Sequence, residues 1–196
     1  MRRKKGSEIP NIRAKELAQE LERLRYRGRF WTIVRQTLYT LLAVVALAIL
    51  VAVLWLPVLR IYGQSMNKTL QEDDIVFTVK GSEFDTGDVI AFYYNNKVLV
   101  KRVIAQSGDW VDIDSEGDVY VNQKKLNEPY VLDKALGKSN IKYPYQVPDQ
   151  EIFVLGDNRS VSIDSRNTAI GGISEEQIVG KISFRVWPLN KIGTIK

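Results

Sequence analysis

Cysteine and histidine are both absent from the 196 residues. Without cysteine there is no disulfide framework, no thiol nucleophile and no thiolate-ligated zinc or iron–sulfur site. Without histidine, the commonest general base and the commonest metal ligand are missing too. Any proton transfer falls to carboxylates, lysine or tyrosine. An excess of one sign of charge is also lacking beyond the N-terminus. Residues 1–35 hold 11 Lys/Arg against four Glu, a net +7, whereas residues 36–196 hold 17 against 19 Asp/Glu, a net −2. The total of +5 therefore describes a basic tail. The body has no basic, aromatic stripe to follow a phosphate backbone, which argues against nucleic-acid binding. A composition of 45% hydrophobic and 26% charged residues is ordinary for a globular chain and argues against wholesale disorder. The length allows one folded domain with appendages.

What is present begins with residues 37–59, a run without a single charge. As a helix rising ~1.5 Å per residue it reaches ~35 Å, enough for a ~30 Å hydrocarbon core. The alternative, a buried core helix, rarely extends this far without a polar face. Arg23, Arg25, Arg27, Arg29 and Arg35 precede the run and only Arg60 closely follows it. That asymmetry places the N-terminus in the cytoplasm and the body outside. Pro57-Val58-Leu59-Arg60-Ile61 offers no small-residue cleavage site, so the run reads as a retained anchor. Ahead of it, Ala14, Leu17, Ala18, Leu21 and Leu24 fall at helical spacing among charges. They fit an amphipathic helix on an anionic leaflet or, equally, a solvated or partner-binding helix. The expected organisation is a cytoplasmic basic tail over 1–35 with that helix, a transmembrane helix over 36–59, and an extracytoplasmic β-rich domain over 60–196.

Short alternating runs follow the anchor. They predict strands over 75–80, 88–94, 98–105, 110–113, 119–122, 151–155 and 180–187, separated by turn residues such as Asn95-Asn96 and Ser107-Gly108-Asp109. Asn95-Asn96 reads as a tight hairpin. Residues 174–178 look briefly helical, and 133–148 read as an irregular excursion. The fold class is mainly β: an N-terminal transmembrane helix before an all-β catalytic domain that buries a single core.

Lys101 stands out among the lysines. In Val98-Leu99-Val100-Lys101-Arg102-Val103-Ile104-Ala105, alternation puts adjacent charges on opposite faces, so one of them shares a face with apolar residues. Either this is an edge strand whose cations snorkel outwards, or an amine is buried. A buried lysine drawn from ~10.4 to ~7–8 becomes a usable general base. With no histidine available, a Ser–Lys pair is then the natural way to activate a serine. Ser65, in Tyr62-Gly63-Gln64-Ser65-Met66-Asn67-Lys68-Thr69-Leu70, lies just past the anchor.

Ser65-Met66 with Thr69-Leu70 resembles the serine box of type I signal peptidases. Gly87-Asp88-Val89-Ile90 with Val100-Lys101-Arg102-Val103-Ile104 through Gly108-Asp109 resembles their lysine box. Gly156-Asp157-Asn158-Arg159 followed by Ser162, Asp164, Ser165 and Arg166 resembles the third, and Phe184-Arg185-Val186-Trp187-Pro188-Leu189 is similar to the family's end. One anchor and a compact body look more like Gram-positive members. The resemblance implies a membrane-bound serine endopeptidase that removes signal peptides after a small residue at Ala-x-Ala sites. Ser65 would be the nucleophile and Lys101 the general base. Ser162 would hydrogen-bond and orient the lysine amine. Asp157 and Arg102, with Asp164 and Arg166, would be charged supports; a polar turn bonded to its own backbone is the alternative for that loop. Ile61, Met66, Leu70 and Val100 would line the substrate pockets, unless they are ordinary core. Implied partners are preprotein signal peptides, the bilayer and the secretion machinery, with no cofactor and no metal.

Two positions depart from that pattern. Many relatives carry a hydroxyl donor for the oxyanion two residues before the nucleophile, where this chain has Gly63. Lys68 stands where the family usually has proline, and it creates Ser65-x-x-Lys68, the S-x-x-K signature of penicillin-binding proteins. No Ser-Asp-Asn or Lys-Thr-Gly follows to support that reading. A further alternative is an anchored β-module that binds exported subunits without hydrolysis. An extended substrate could pair beside the strand edge that carries Ser65 or Lys101, and exposed aromatics such as Trp187 would rest the catalytic face on the lipid interface.

Overall fold

A computed structural model describes residues 11–81 and 83–195. The first ten residues of the expected tail lie outside the described residues, as does the side chain of Ala14. Helix α1 (Asn11–Trp55) joins the expected amphipathic segment and the apolar run into one continuous element. It stops short of residue 59 because the residue before Pro57 is biased away from helical geometry. Val58–Arg60 leave it as strand β1. Leu17–Ala52 have the length and composition of a membrane span, and none of their most apolar window is buried against protein. So apolar and uncovered a stretch fits a membrane span.

Beyond the helix the chain is β. The further strands are β2 (Ile75–Val79), β3 (Val89–Tyr94), β4 (Lys97–Ala105), β5 (Trp110–Ile113), β6 (Val119–Val121), β7 (Lys124–Lys125), β8 (Tyr145–Gln146), β9 (Glu151–Leu155), β10 (Ile173–Ser174), β11 (Ile178–Trp187) and β12 (Gly193–Thr194). The larger sheet runs β1-β2-β11-β3-β4-β9-β10, with β12 paired to β11, and the smaller runs β7-β6-β5-β8. Residues 174–178, read from sequence as helical, end β10, make a single 3-10 turn over Glu175–Gln177 and start β11. Residues 133–148 are irregular as expected except for β8. Asn95 and Asn96 take φ of 45° and 59°, the left-handed pair that a tight hairpin between β3 and β4 needs.

Alternation along β3 builds the interior. Val89 and Ala91 pack with Ile61, Met66, Leu70 and Ile182, while Ile90 and Phe92 pack on the other face with Val103, Val154 and Ile173. A third cluster joins Ile104, Phe153 and Leu155 to Val111, Ile113 and Val119 beneath the smaller sheet. This arrangement puts β4 between β3 and β9. The edge-strand reading of 98–105 therefore fails: Lys101 and Arg102 are 3% and 1% exposed, so both charges are inside.

Candidate active site

Ser65 lies on the turn that links β1 to β2. Met66 and Leu70 anchor that turn in the core, and the Leu70 amide donates to the Met66 carbonyl at 2.8 Å. Gly63 enters it at φ 84°, a conformation open to glycine. With no side chain, it supplies no hydroxyl two residues before Ser65.

Lys101 reaches the serine from the middle of β4, its Nζ donating to Ser65 Oγ at 2.7 Å. Burial lowers the lysine pKa from 10.5 to about 8, against the pull of Asp164 and Asp157 and helped by Arg166. Such a depression costs ~3 kcal/mol while the amine is charged. It also leaves a substantial neutral fraction at mildly alkaline pH. Deprotonated, the amine reverses the hydrogen bond and can accept the serine proton.

Three buried ion pairs hold the surrounding loops. Arg102 meets Asp157 in two hydrogen bonds, Nε to Oδ1 at 2.9 Å and Nη2 to Oδ2 at 2.7 Å, both side chains being 1% exposed. Thr69, on the serine turn, donates to Asp157 Oδ2 at 2.5 Å, and Arg102 Nη1 donates to the Gly87 carbonyl at 2.6 Å. One ion pair thereby ties β4, the serine turn and the 156–166 loop together. Asp164 and Arg166 form a second pair within that loop, and Arg166 also donates to the carbonyls of Leu136 and Arg159. Sequence reasoning missed the third, between Arg159 and Glu128, at 2.5 Å. It also missed the Tyr130 ring lying 3.9 Å from the Arg102 guanidinium carbon. Glu128 and Tyr130 sit in an irregular segment with no periodicity, so no sequence signal pointed to them.

Gly156 brings the loop against the serine. Its amide donates to Asp164 Oδ2 at 3.0 Å, and a β-carbon there would lie 2.2 Å from Ser162 Oγ and 2.6 Å from the Ser65 carbonyl oxygen. Only glycine fits that approach. The Asn158 amide donates to the same Ser65 carbonyl at 3.0 Å, which fixes the Ser65 backbone. Ser162 corrects an expectation. It is 1% exposed, yet its Oγ has no hydrogen-bond partner among the described residues, and the lysine amine donates to Ser65 instead. Its amide is held by the Asn158 carbonyl at 3.1 Å, and its hydroxyl packs against Gly156.

A cavity of about 100 Å³ opens beside the pair, lined by Ile61, Gly63, Ser65, Met66, Val100 and Lys101 among others. Three of the four expected pocket residues are therefore there. Leu70 is not, being fully buried in the core beneath. Tyr62, Val98 and Leu99 also line it and were not anticipated. Trp187, half exposed at the end of β11, does not. No group of three or more carboxylates among the described residues is arranged to hold a metal ion.

Lys68 is exposed, and its Nζ donates to the Pro129 carbonyl at 3.2 Å. Its φ of 78° is closed to proline, whose ring holds φ near ~−65°, so this turn differs from one built on the family's usual residue. Lys68→Ala is expected to cleave substrate within about twofold of the wild-type rate, because the lost hydrogen bond is exposed. Lys68→Pro should lower Tm by ~5 °C or more through the imposed strain. Enzyme assay and thermal unfolding check the two.

Against known proteins, the family described as "Signal peptidase, peptidase S26" matches residues 34–187. Signal peptidase IB of Staphylococcus aureus is 38% identical over 156 residues, covering 67% of this chain and 78% of that protein. Signal peptidase I of Bacillus amyloliquefaciens is 36% identical over 145 residues, covering 68% and 77%. A crystal structure of a signal peptidase I from Enterococcus faecalis V583 aligns at a TM-score of 0.42 and 28% identity, covering 51% of this chain and 97% of that one.

Proposed function

Since the chain belongs to the signal peptidase family, peptidase S26, whose members are serine endopeptidases, we propose that Ser65 and Lys101 are its catalytic pair and that it cuts preproteins after a small residue at Ala-x-Ala sites. Family membership sets aside the penicillin-binding and non-hydrolytic alternatives. It also agrees with a membrane location for a chain with so long an apolar helix. The single observation that carries the catalytic assignment is the 2.7 Å contact between a lysine amine buried in a β-strand and Ser65 Oγ.

In this mechanism neutral Lys101 takes the Ser65 proton as Oγ attacks the scissile carbonyl. The developing oxyanion is assigned to the Ser65 backbone amide. The resulting ammonium gives its proton to the leaving amine, which departs as the new N-terminus of the mature protein. Lys101, neutral again, then deprotonates a water that hydrolyses the acyl-serine. Ser162 is a positioning residue in this reading, its side chain packed against Gly156 within the loop. The small cleft bounded by Ile61, Met66 and Val100 accepts the short side chain before the cut. The basic flank of the helix supports a cytoplasmic N-terminus and an outer catalytic domain. The partners in this reading are exported preproteins, at the site where the secretion machinery delivers them.

The test is cleavage of a preprotein with an Ala-x-Ala site by the full chain in lipid vesicles. A single cut after the second alanine is expected, lost when that alanine becomes phenylalanine. Equal cleavage of both substrates would remove the small-residue specificity.

A further inference from the structure

Alternation in β5 and β6 sends Val111, Ile113 and Val119 into the core and leaves Trp110, Asp112 and Tyr120 on the opposite face of the smaller sheet. The strand register sets Tyr120 directly across from Asp112. Gln123, after β6, and Pro144, before β8, complete the lining of a cleft of about 440 Å³. That volume lies in the range of small-ligand sites, and none of its residues touches the catalytic pair. Trp110 is 47% exposed, a large apolar area to leave in water on a sheet face.

The polar groups of the cleft are unused. The Trp110 indole N–H, the Asp112 carboxylate and the Gln123 side-chain amide make no hydrogen bond or ion pair among the described residues. Tyr120 differs: its hydroxyl is directed to Asp114 Oδ2 at 3.5 Å, which leaves its ring as the available surface. Flat rings beside an acceptor-only carboxylate and an amide match one chemistry closely. A pyranose has an apolar C–H face that lies against an aromatic ring, and a rim of hydroxyls that donate to carboxylate and amide oxygens. A polyproline-type peptide fits less well: its carbonyls can accept from the Trp110 indole and the Gln123 amide, but its prolines carry no N–H to donate to Asp112.

We infer that this cleft is a carbohydrate-binding site for an uncharged, hydroxyl-rich pyranose chain, separate from the peptidase site. The sugar comes either from an insoluble wall-type polysaccharide or from free saccharide, and both present the same face and rim.

The probe is the N-acetylglucosamine hexasaccharide, titrated into the full chain with 15N-labelled tryptophan. Lipid nanodiscs are used, because alkyl-glycoside detergents carry the kind of group being tested. A saturable shift of the Trp110 indole resonance is expected. Trp110→Ala should weaken binding about tenfold, the equivalent of ~1.4 kcal/mol, and Asp112→Asn several-fold, with preprotein cleavage unchanged in both. Trp110→Phe, which keeps a ring, should retain most of the affinity and covers the case in which the alanine variant does not fold. Co-sedimentation with insoluble chitin as well would identify the polymer as the source, and binding of the soluble sugar alone the free saccharide. No shift at millimolar sugar, a shift that survives Trp110→Ala in the folded protein, or tighter binding of a proline-rich peptide would each overturn the assignment.

Discussion

Ser65→Ala and Lys101→Ala are each expected to lower kcat by about 10⁴-fold or more, and the double variant to lose little beyond either single one. In the proposed mechanism the serine proton passes between the two side chains, 2.7 Å apart, so removing either partner removes the same step. Preprotein binding should survive in Ser65→Ala, because the cleft walls are unchanged. A second consequence separates the catalytic role of Lys101 from a structural one. Its folded pKa of about 8 lies below the unfolded 10.5. The unfolded chain therefore binds the extra proton between those values, and stability rises with pH across that window. Below pH 8 the charged amine costs the folded state ~3 kcal/mol. Lys101→Met, which fills similar volume without charge, should thus be inactive yet raise Tm at pH 6, with the gain fading towards pH 10. Cleavage assays and thermal unfolding at the two pH values measure both parts. An inactive variant that is equally destabilised at every pH would mean that Lys101 serves packing alone.

Arg102→Leu carries the largest expected loss of stability, about 3–5 kcal/mol. It strands the buried Asp157 with Thr69 as its remaining side-chain donor among the described residues, and it frees the Gly87 carbonyl. The same substitution unties β4 from the serine turn and from the 156–166 loop, so activity should fall with stability. Pairing it with Asp157→Leu removes the orphaned charge and should recover much of the folding free energy. It should not recover the activity, because it also removes the Thr69–Asp157 bond that ties the serine turn to the loop. Denaturant unfolding and cleavage rates on the two variants separate these outcomes. If the single variant were as stable as wild type, the pair would not be holding the loops.

Most of the β framework was readable because its strands alternate over four or more residues. The seven expected strands all form, with ends shifted by two residues at most. Strands β7, β8, β10 and β12, two residues each, are too short for a period to show, and they exist because longer neighbours offer an edge. The 174–178 segment misled for a related reason: Glu175 and Glu176 favour a helix start, yet Ile173 and Ile178 are pulled into the sheet on either side. At the site, the paired charges of Lys101 and Arg102 signalled that at least one was buried. Local pattern could not show that β4 is central and buries both. Ser162 was assigned a hydrogen bond from box order, whereas the loop's geometry is set by Gly156 and Asn158 through backbone contacts that a motif does not encode. Glu128 carried no local signal, because its partner Arg159 is distant in sequence.

The central claim is that Lys101, its pKa lowered by burial, activates Ser65 in its neutral form. Its most direct test is the pH dependence of kcat/KM on an Ala-x-Ala preprotein between pH 6 and 10, on the full chain in lipid. The account predicts a rise with unit slope that levels off above an apparent pKa of about 8, the value set by the dry surroundings of Lys101. A flat profile across that range, or the same ascending limb persisting in Lys101→Ala, would contradict it.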